Sequence, residues 1–509
     1  MNVLVLNMGM KSIRSVIFDG NGKKLAFSAK PIRTAINDLR VQQDPQEWWD
    51  KGVEVMKASI HDAGITHLDC VTVTTSASCL VCTDGDGSPI GPSIMVSDKR
   101  ATEEVTDLTH AAAWPAVKER TGLDMSVSLI LPKILWIKRN EPELFNRTRW
   151  FLTPNDYLIF KLGGSVATDY LNALKYHYDL GAHSYPIDLL DEFGIPVDKL
   201  PPVVGTGELV GEMDDSVACA LGIDRGAKVV VTSYDAICSF VGSGVAEEGE
   251  ASDVSGTVTV FRALSRANST LPSDKVYMTP FDQGEYRIIG GSNNLGGGLI
   301  EWAKQCYYAK EEYPYEVMEK EAGESEIGAR GIIFLPYLLG ERAPIWNDNA
   351  RGVFFGLERM HTRKDMTRAV FESCAFIDRS ISDAIEETGA QVNSVRLSGG
   401  LARMGLVSQI KADVLGKEVH VLSDFETTAS GAAMMALHGV GFVDSLADLV
   451  DRFATVRMTV LPNAANHEKY CRIYELFKEV YRTNLDLFDK RVEVLRDFAS
   501  MREIQLENL

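Results

Sequence analysis

The pattern of apolar and polar positions predicts a chain in which strands and helices alternate. Short apolar runs rich in β-branched residues predict buried strands at residues 3–6, 15–19, 70–83, 228–232 and 394–397. Apolar residues at helical spacing predict helices that begin at Asp44-Pro45 and that cover much of residues 100–150, 362–386, 404–415 and 426–441. From about residue 468 to the end, an amphipathic pattern predicts a docking pair of helices. The turns between these elements carry the candidate chemistry.

The stretch 228–260 places a carboxylate and a glycine turn on either side of one acidic linker. Asp235 follows the predicted strand 228–232, where a helix begins, and an Asp at that position is usually a plain N-cap. The Ser-Gly-Thr turn at 255–257 could cradle phosphate with its amides and hydroxyls, or could be an ordinary hairpin turn. Together, a proton acceptor and a phosphate cradle are what phosphoryl transfer to an alcohol requires.

The second half of the chain opens like the first half. Residues 253–262 repeat the strand, glycine turn and strand of residues 3–19, which suggests a duplicated architecture with a nucleotide cleft between the halves. The acidic linker 246–250 gives predicted domains 1–245 and 246–509. A further Gly pair, Gly399-Gly400, either admits a ligand to a helix N-terminus or forms a simple tight turn.

Composition narrows the classes of function. With 509 residues, 45% apolar and 24% charged, the chain has the profile of a soluble globular protein with two domains. A net charge of −19 argues against nucleic acid and anionic membrane as partners, although a few local cations suffice for ATP. The chain shows neither a membrane-span-length apolar run nor a signal peptide, and its eight scattered cysteines fit the cytoplasm. Cys79 and Cys82 are expected to be buried structural thiols.

Several motifs in one order resemble the FGGY carbohydrate kinases along nearly the whole chain. The most specific piece is FLPYLLGERAPIWNDNARGVFFGL at 334–357. LSGGLARMGLVSQIKADVLGKEV at 397–419 is similar to the adenosine motif of the family, and TASGAAMMALHGVG at 428–441 to the helix after it. DPQEWW, SDKRA and LPKILWIKRNEPELF resemble the xylulokinase branch.

This resemblance implies an α/β fold of two actin-like (ribonuclease H-like) domains that flank a nucleotide and sugar cleft. It also implies Mg²⁺- and ATP-dependent phosphorylation of a small sugar, first of all D-xylulose or another ketopentose. Asp235 matches the general base and also faces the substrate in this assignment. The other site positions that the resemblance assigns, whether or not the residue itself matches, are Ser76, Ser78 and Asp98 for sugar, Gly9, Lys11, Ser12, Arg14, Gly256, Thr257, Gly399, Gly400 and Ala402 for nucleotide, and Asn7 for metal. A homodimer is compatible with the family, and the sequence does not fix the oligomeric state.

Two departures from the family pattern keep alternatives open. The first loop reads Asn7-Met8-Gly9-Met10-Lys11-Ser12 where the family has Asp-x-Gly-Thr-x-Ser, so a carboxylate and a hydroxyl are missing. Lys11 adds a cation that could act on phosphate. Residues 76–78 read Ser-Ala-Ser where xylulokinases have Gln-Met-His. The alternatives are a gluconate, ribulose or polyol kinase, or a sugar- or nucleotide-binding protein with little catalysis.

Overall fold

The computed structural model describes residues 1–271, 273–281, 284–424 and 426–496. Its strands are β1 (Asn2–Met8), β2 (Ser12–Asp19), β3 (Lys24–Pro31), β4 (Ala35–Asn37), β5 (Arg40–Gln43), β6 (Cys70–Thr75), β7 (Val81–Thr83), β8 (Ser93–Ile94), β9 (Trp150–Leu152), β10 (Thr168–Asp169), β11 (Val203–Val204), β12 (Leu209–Glu212), β13 (Lys228–Val231), β14 (Glu250–Ser255), β15 (Thr259–Arg266), β16 (Tyr277–Phe281), β17 (Tyr286–Ser292), β18 (Ile333–Leu335), β19 (Val353–Phe355), β20 (Ser394–Gly399), β21 (Glu418–Leu422) and β22 (Val456–Val460).

The helices lie between these strands. They are α1 (Pro45–Ala63), α2 (Thr102–His110), α3 (Trp114–Thr121), α4 (Ile130–Asn140), α5 (Pro142–Arg147), α6 (Pro154–Lys161), α7 (Tyr170–Ala173), α8 (Ile187–Glu192), α9 (Asp215–Leu221), α10 (Asp235–Gly242), α11 (Gly297–Tyr307), α12 (Pro314–Gly323), α13 (Arg363–Glu386), α14 (Gly405–Leu415), α15 (Thr427–Gly439), α16 (Ala447–Phe453) and α17 (Ala464–Arg496). Short 3-10 turns occur at Leu174–Tyr176, Val197–Lys199, Ala267–Ser269, Ala329–Gly331 and Gly400–Arg403. In the described part of the chain, none of these helices combines the length and apolar character needed to cross a bilayer.

The chain divides into two compact units. Among the described residues, the first contains residues 1–246, 281, 284 and 426–455, and the second contains residues 247–271, 273–280, 285–424 and 456–496. Residues 426–455, which the sequence analysis placed in the C-terminal half, therefore pack with the first unit. The chain returns to the first unit there because α15 packs on α10 and on the sheet strands β1 and β6.

The sheet of the first unit has six strands in the order β12-β13-β6-β1-β2-β3. Strand β1 pairs antiparallel with β2 and parallel with β6, which in turn pairs parallel with β13. The runs predicted as strands at 3–6, 15–19 and 228–232 lie in this sheet and are largely buried under helices, with Val3–Leu6 fully buried. The predicted strand 70–83 is divided: residues 70–75 form β6 of this sheet, and residues 81–83 form β7, which pairs with β9 instead. Because β1, β6 and β13 are parallel, their carboxyl ends meet at one edge.

The sheet of the second unit repeats this plan. Its order is β16-β17-β15-β14-β20-β21-β22, with β14 antiparallel to β15, parallel to β20, and β20 parallel to β21. In each unit an antiparallel meander is followed by a parallel step from its first strand, so the weak sequence echo between residues 3–19 and 253–262 corresponds to a repeated topology.

Two glycines allow α10 and α15 to touch backbone to backbone. A Cβ atom on Gly242 would lie 1.9 Å from the carbonyl oxygen of Thr427, and one on Gly431 would lie 1.8 Å from that of Cys238. The many glycine and alanine residues at 426–441, a segment predicted to be helical, make this close packing possible. This contact fixes the helix that begins at Asp235.

The C-terminal prediction was wrong in one respect. Residues 464–496 form one continuous helix, α17, and not a pair of helices. Its apolar side packs on the second unit's core through Tyr470, Tyr474 and Phe477, and no glycine or proline interrupts it. The predicted end of the pattern, residues 497–509, lies outside the described residues.

Candidate active site

The register of the first unit's sheet brings three candidate residues to one edge. Asn7 lies opposite Thr74 in the parallel β1–β6 pair, near the carboxyl ends of both strands. Ser76 follows β6 directly, and its N–H donates to the carbonyl of Met8 (3.2 Å). Asp235 follows β13, which is the next parallel strand. The carboxyl edge of parallel strands is where ligands bind in open α/β sheets.

Asp235 is the first residue of α10, and Tyr234 occupies the N-cap position. Its Oδ1 accepts the N–H of Ala236 (2.7 Å), and its Oδ2 accepts the hydroxyl of Ser76 (3.2 Å). Both contacts fix the orientation of the carboxylate at the N-terminus of α10. The side chain is half-buried, so it is held in place without being enclosed. An oriented carboxylate group at such a position is suited to accept a proton from a hydroxyl group.

The turn before Asp235 is fixed by two buried polar residues that the sequence analysis did not single out. Asp169 Oδ2 accepts the hydroxyl of Ser233 (2.9 Å) and the N–H of Leu171 (3.0 Å). Asn155 Nδ2 donates to the carbonyl of Ser233 (3.2 Å). Burial raises the pKa of Asp169 to about 6. Neither was predicted as a site residue: Asn155 lies in the segment TPNDYL, which resembles the xylulokinase branch, and Asp169 was marked only by its apolar neighbours.

The first loop forms a tight turn whose side chains differ in exposure. The N–H of Gly9 donates to the carbonyl of Ser12 (3.0 Å). Lys11 is exposed at this turn, whereas the side chain of Met10 packs against the core of the first unit. Arg14 donates to the Ser12 hydroxyl (3.2 Å) and to Glu426 (3.3 Å). Met10 is thus a packing residue, and Arg14 is already part of an ion pair.

The predicted sugar-side segment rests on a buried lysine. Ser78 is buried with φ of +62°, an uncommon conformation for a residue with a side chain. Its carbonyl accepts a hydrogen bond from the Lys133 ammonium group, which also donates to the carbonyl of Ser128 (3.0 Å). Burial lowers the pKa of Lys133 to about 8. Lys133 was not predicted as a site residue, although a lysine inside the apolar run LPKILW was a signal.

Asp98 has the partners of an anchoring residue. Its Oδ1 accepts the N–H and Nε of Arg100 (3.0 and 2.9 Å), and its Oδ2 accepts Nη2 of Arg100 (2.7 Å) and the N–H of Val41 (2.7 Å). Burial alone would raise the pKa of Asp98, but these hydrogen bonds hold it below its usual range. Four donors occupy this carboxylate, which is 1% exposed. A sugar contact for Asp98 stays a prediction, and the geometry favours a structural role.

In the second unit, the Gly256-Thr257 turn is exposed and pinned from one side. The N–H groups of Gly296 and Gly298 donate to the carbonyl of Thr257 (2.8 and 3.0 Å), and the N–H of Gly297 donates to the carbonyl of Gly256 (2.7 Å). The carbonyls therefore point to the N-terminus of α11. The N–H of Gly256 donates to the carbonyl of Val258 (3.0 Å), so an anion at this exposed turn would have to be bound by its other polar groups, such as the amide and hydroxyl of Thr257.

The two glycines after β20 have different surroundings: Gly399 has no room for a side chain, whereas Gly400 is exposed. Gly399 has φ of +87° and ψ of −172°, and an added Cβ would lie 2.4 Å from the carbonyl oxygen of Ser255. Nothing lies closer than 4.0 Å to a Cβ on Gly400, which is exposed. Ala402 is fully buried in the core, and its carbonyl accepts Arg457 Nη2 (2.9 Å). Only Gly400 of these three presents an open surface to a ligand.

Asn7 and Asp235 fit a metal site in which phosphate oxygens and water supply most of the ligands. Among the described residues, no group of three His, Cys, Asp or Glu side chains could hold a metal ion. Asn7 offers an amide oxygen and Asp235 a carboxylate at the same sheet edge. Magnesium commonly binds through one or two protein carboxylates together with phosphate oxygens and water. The donor set fits such a site with less negative charge than two carboxylates would give.

Comparison with known proteins agrees with this picture. The chain matches the N-terminal domain of the FGGY family of carbohydrate kinases at residues 2–242, and the C-terminal domain of that family at residues 251–440. It is 27% identical over 491 residues to a xylulose kinase of Bacillus subtilis, covering 95% of this chain and 97% of that one. It is 24% identical over 492 residues to a gluconokinase of the same organism, covering 94% and 95%.

The fold is shared with solved structures as well. The crystal structure of a xylulose kinase from Rhodospirillum rubrum has a TM-score of 0.85 and 27% identity, covering 96% of this chain and all of that one. This likeness confirms the predicted class of two actin-like α/β domains. With both family domains matched along most of the sequence, the chain belongs to the FGGY family of carbohydrate kinases.

Proposed function

We propose that this carbohydrate kinase transfers the γ-phosphoryl group of ATP, with magnesium, to a hydroxyl group of a ketopentose, and that D-xylulose is its preferred acceptor. The observation that carries the proposal is the position of Asp235. It stands at the carboxyl edge of three parallel strands, at a helix N-terminus, with Ser76 bound to it. The similarity to xylulose kinases along 95% of the chain supports the choice of acceptor.

In the proposed reaction, Asp235 accepts the proton of the acceptor hydroxyl while the oxygen attacks the γ-phosphorus. The bond between that phosphorus and the bridging oxygen of ATP breaks, and ADP leaves with the electron pair. In the first unit, backbone amides of the turn at Gly9, with Lys11, would stabilise charge on the transferred group. In the second unit, the Gly256-Thr257 turn and the Gly399-Gly400 segment would bind the nucleotide. Magnesium, when bound, neutralises phosphate charge, and Asn7 would hold it through an amide oxygen. Exclusion of water protects the phosphoryl group from hydrolysis.

An aldonate such as gluconate is a second candidate acceptor, and one observation favours it. The Lys175 ammonium group lies 4.7 Å from the ring centroid of Tyr234, directly before Asp235, and donates to the Tyr234 hydroxyl (3.5 Å). Lys175 is half-buried. A cation next to the segment that carries the base suits an acceptor with a carboxylate. The gluconokinase relative supports this candidate too.

A coupled assay of ADP release with D-xylulose, D-ribulose, gluconate, ribitol and glycerol, with and without ATP, tests these candidates. We expect the highest kcat/KM with D-xylulose. A gluconate preference that is lost in Lys175→Gln would replace the ketopentose with the aldonate. Lys161→Gln, a change at another surface cation near an aromatic ring, is the matched control. Tight binding of sugar or ATP without turnover on any acceptor would favour the binding-protein alternative. The homodimer stays a prediction that light scattering can test.

A further inference from the structure

Beneath the Gly256-Thr257 turn lies a buried charge cluster that the proposed reaction does not use. Lys411, on α14, is 1% exposed, and its ammonium group contacts the carboxylates of Asp253 and Asp378. It also donates to the hydroxyl of Ser255 (2.9 Å). The same hydroxyl donates to Asp253 Oδ1 (2.6 Å). Three polar residues from two other elements, Asp253 and Ser255 of β14 and Asp378 of α13, thus meet at the Lys411 ammonium group.

These elements carry both glycine segments of the second unit. Strand β14 contains Asp253 and Ser255 and leads directly into the Gly256-Thr257 turn. Helix α14 contains Lys411 and is entered from the Gly399-Gly400 segment. Ser255 is also the parallel partner of Gly399, whose Cβ position faces the Ser255 carbonyl at 2.4 Å. Ser255 is therefore the point where the two segments approach each other, and Lys411 binds it.

Burying these charged groups costs desolvation free energy that apolar residues in the same core would not cost. Two carboxylates face one ammonium group without solvent, and Asp378 Oδ1 has no hydrogen-bond partner among the described residues. Burial raises the pKa of Asp378 above its usual range, which lessens the uncompensated negative charge. Apolar residues of similar volume often serve stability equally well or better. What the cluster supplies that apolar packing does not is directional hydrogen bonding to Ser255.

We propose that Lys411 is a positioning residue for the nucleotide phosphates: through Ser255 it holds the Gly256-Thr257 turn at a fixed distance from the Gly399-Gly400 segment. The proposal rests on the proposed function, in which both segments bind ATP. Displacing a binding group by about 1 Å can cost on the order of a hundredfold in rate. Loss of Lys411 should therefore weaken nucleotide binding and turnover, while sugar binding in the first unit remains.

The test compares Lys411→Met with Lys417→Met. Lys417 follows the end of the same helix, where it contacts Glu386 at the surface, and serves as the matched control. Calorimetry should give an ADP dissociation constant at least tenfold higher for Lys411→Met, with the dissociation constant of the acceptor sugar within twofold of the parent. Lys417→Met should match the parent in both. A folded Lys411→Met protein with parental ADP affinity and kcat would overturn the proposal.

Ser255→Ala provides a second test of the proposal, which can be used if Lys411→Met does not fold. It removes only the hydroxyl that joins the ammonium group to the turn and leaves both Lys411–carboxylate contacts. We expect ADP binding about three- to tenfold weaker, and parental ADP affinity in this variant would also overturn the proposal. A purely structural cluster would lower Tm without changing the ADP affinity of the folded protein. A parent that binds no ADP would instead overturn the proposed function, and the positioning role with it.

Discussion

At the scale of single residues, Asp235 is the group on which the proposed chemistry depends. Its two oxygens receive different donors, one from its own helix and one from Ser76. Asp235→Asn keeps the shape and removes the proton acceptor, so kcat should fall about a hundredfold or more. ADP affinity should stay within a few-fold of the parent. Stopped-flow or steady-state assays at saturating substrates measure this.

The control for that change is Asp214→Asn, which alters the N-cap carboxylate of α9 away from the proposed site. It should leave kcat unchanged. Turnover of Asp235→Asn within a few-fold of the parent would remove Asp235 from the role of general base.

The second prediction for single residues concerns Asn7 and Met10 in the first loop. A carboxylate attracts magnesium more strongly than the amide of Asn7, so Asn7→Asp should lower the magnesium concentration needed for half-maximal rate. Met10→Thr adds a hydroxyl to the same loop. Because Met10 packs against the core, this change should also cost about 1 kcal/mol or more of stability. Magnesium titrations at saturating ATP and sugar, beside thermal melts, separate the two effects. An unchanged magnesium dependence in Asn7→Asp would mean that Asn7 does not face the metal.

The sequence was more informative about residues whose backbone conformation matters than about buried side chains whose role depends on distant hydrogen-bond partners. The glycine pair at 399–400 was visible in sequence as either a tight turn or a ligand-binding segment, and the structure gives Gly399 the turn position, whereas ligand binding at Gly400 stays a prediction. Lys133, Asp169 and Lys411 could not be predicted, since their roles depend on partners 33 or more residues away along the chain. Asp98 shows the converse, because a motif match does not reveal that four donors already occupy its carboxylate.

At the scale of elements, the turn after β20 separates two glycines that look equivalent in sequence. Gly400→Val adds bulk to an open position, so it should weaken ATP binding about tenfold, or about 1.4 kcal/mol, without loss of stability. Gly399→Ala forces a side chain into a conformation restricted to glycine and against Ser255. It should cost about 1–3 kcal/mol of stability whether or not ATP binds there.

Calorimetry with ATP and chemical denaturation of both variants give the two numbers. Gly405→Val, at the start of α14, is a control for added bulk near the same helix. If Gly400→Val binds ATP like the parent, then the pair forms only a tight turn.

Helices and strands could be predicted where the local sequence pattern determines them. They could not be predicted where a segment packs on a part of the chain that is distant in sequence. The hairpins at residues 3–19 and 253–262 were visible because apolar runs flank glycine turns. The return of residues 426–455 to the first unit was invisible, because it depends on Gly242 meeting Gly431 across almost 200 positions. The prediction divided α17 into two helices because the spacing of its apolar residues is irregular. The structure shows that this irregular spacing does not correspond to a break in the helix.

At the scale of the whole molecule, buried carboxylic acids couple stability to pH. Burial raises the pKa of Asp156 to about 7 and that of Glu341 to about 7, in addition to that of Asp169. Each of these groups keeps its proton in the folded chain at pH values where the unfolded chain has lost it. Their combined effect is a folded state that loses stability as the pH rises from about 4 towards 7.

Asp169→Asn isolates one such group. The folded pKa of about 6 lies above the ordinary value of about 3.9, so the contribution of Asp169 is complete below pH 4 and is lost as the pH rises through 6. The difference amounts to about 2–3 kcal/mol over that interval. The Asn variant cannot titrate, so its loss of stability between pH 4 and 6 should be smaller than that of the parent by this amount. Above pH 6 the two slopes should converge, apart from the charge of Asp169 in the parent, which helps to raise the pKa of Asp156 and is absent from the variant. Urea unfolding at closely spaced pH values measures the slopes, with the exposed Asp191→Asn as control. Equal slopes in parent and variant would mean that Asp169 stays ionised in the folded protein, stabilised by Ser233 and Leu171 more strongly than burial opposes it.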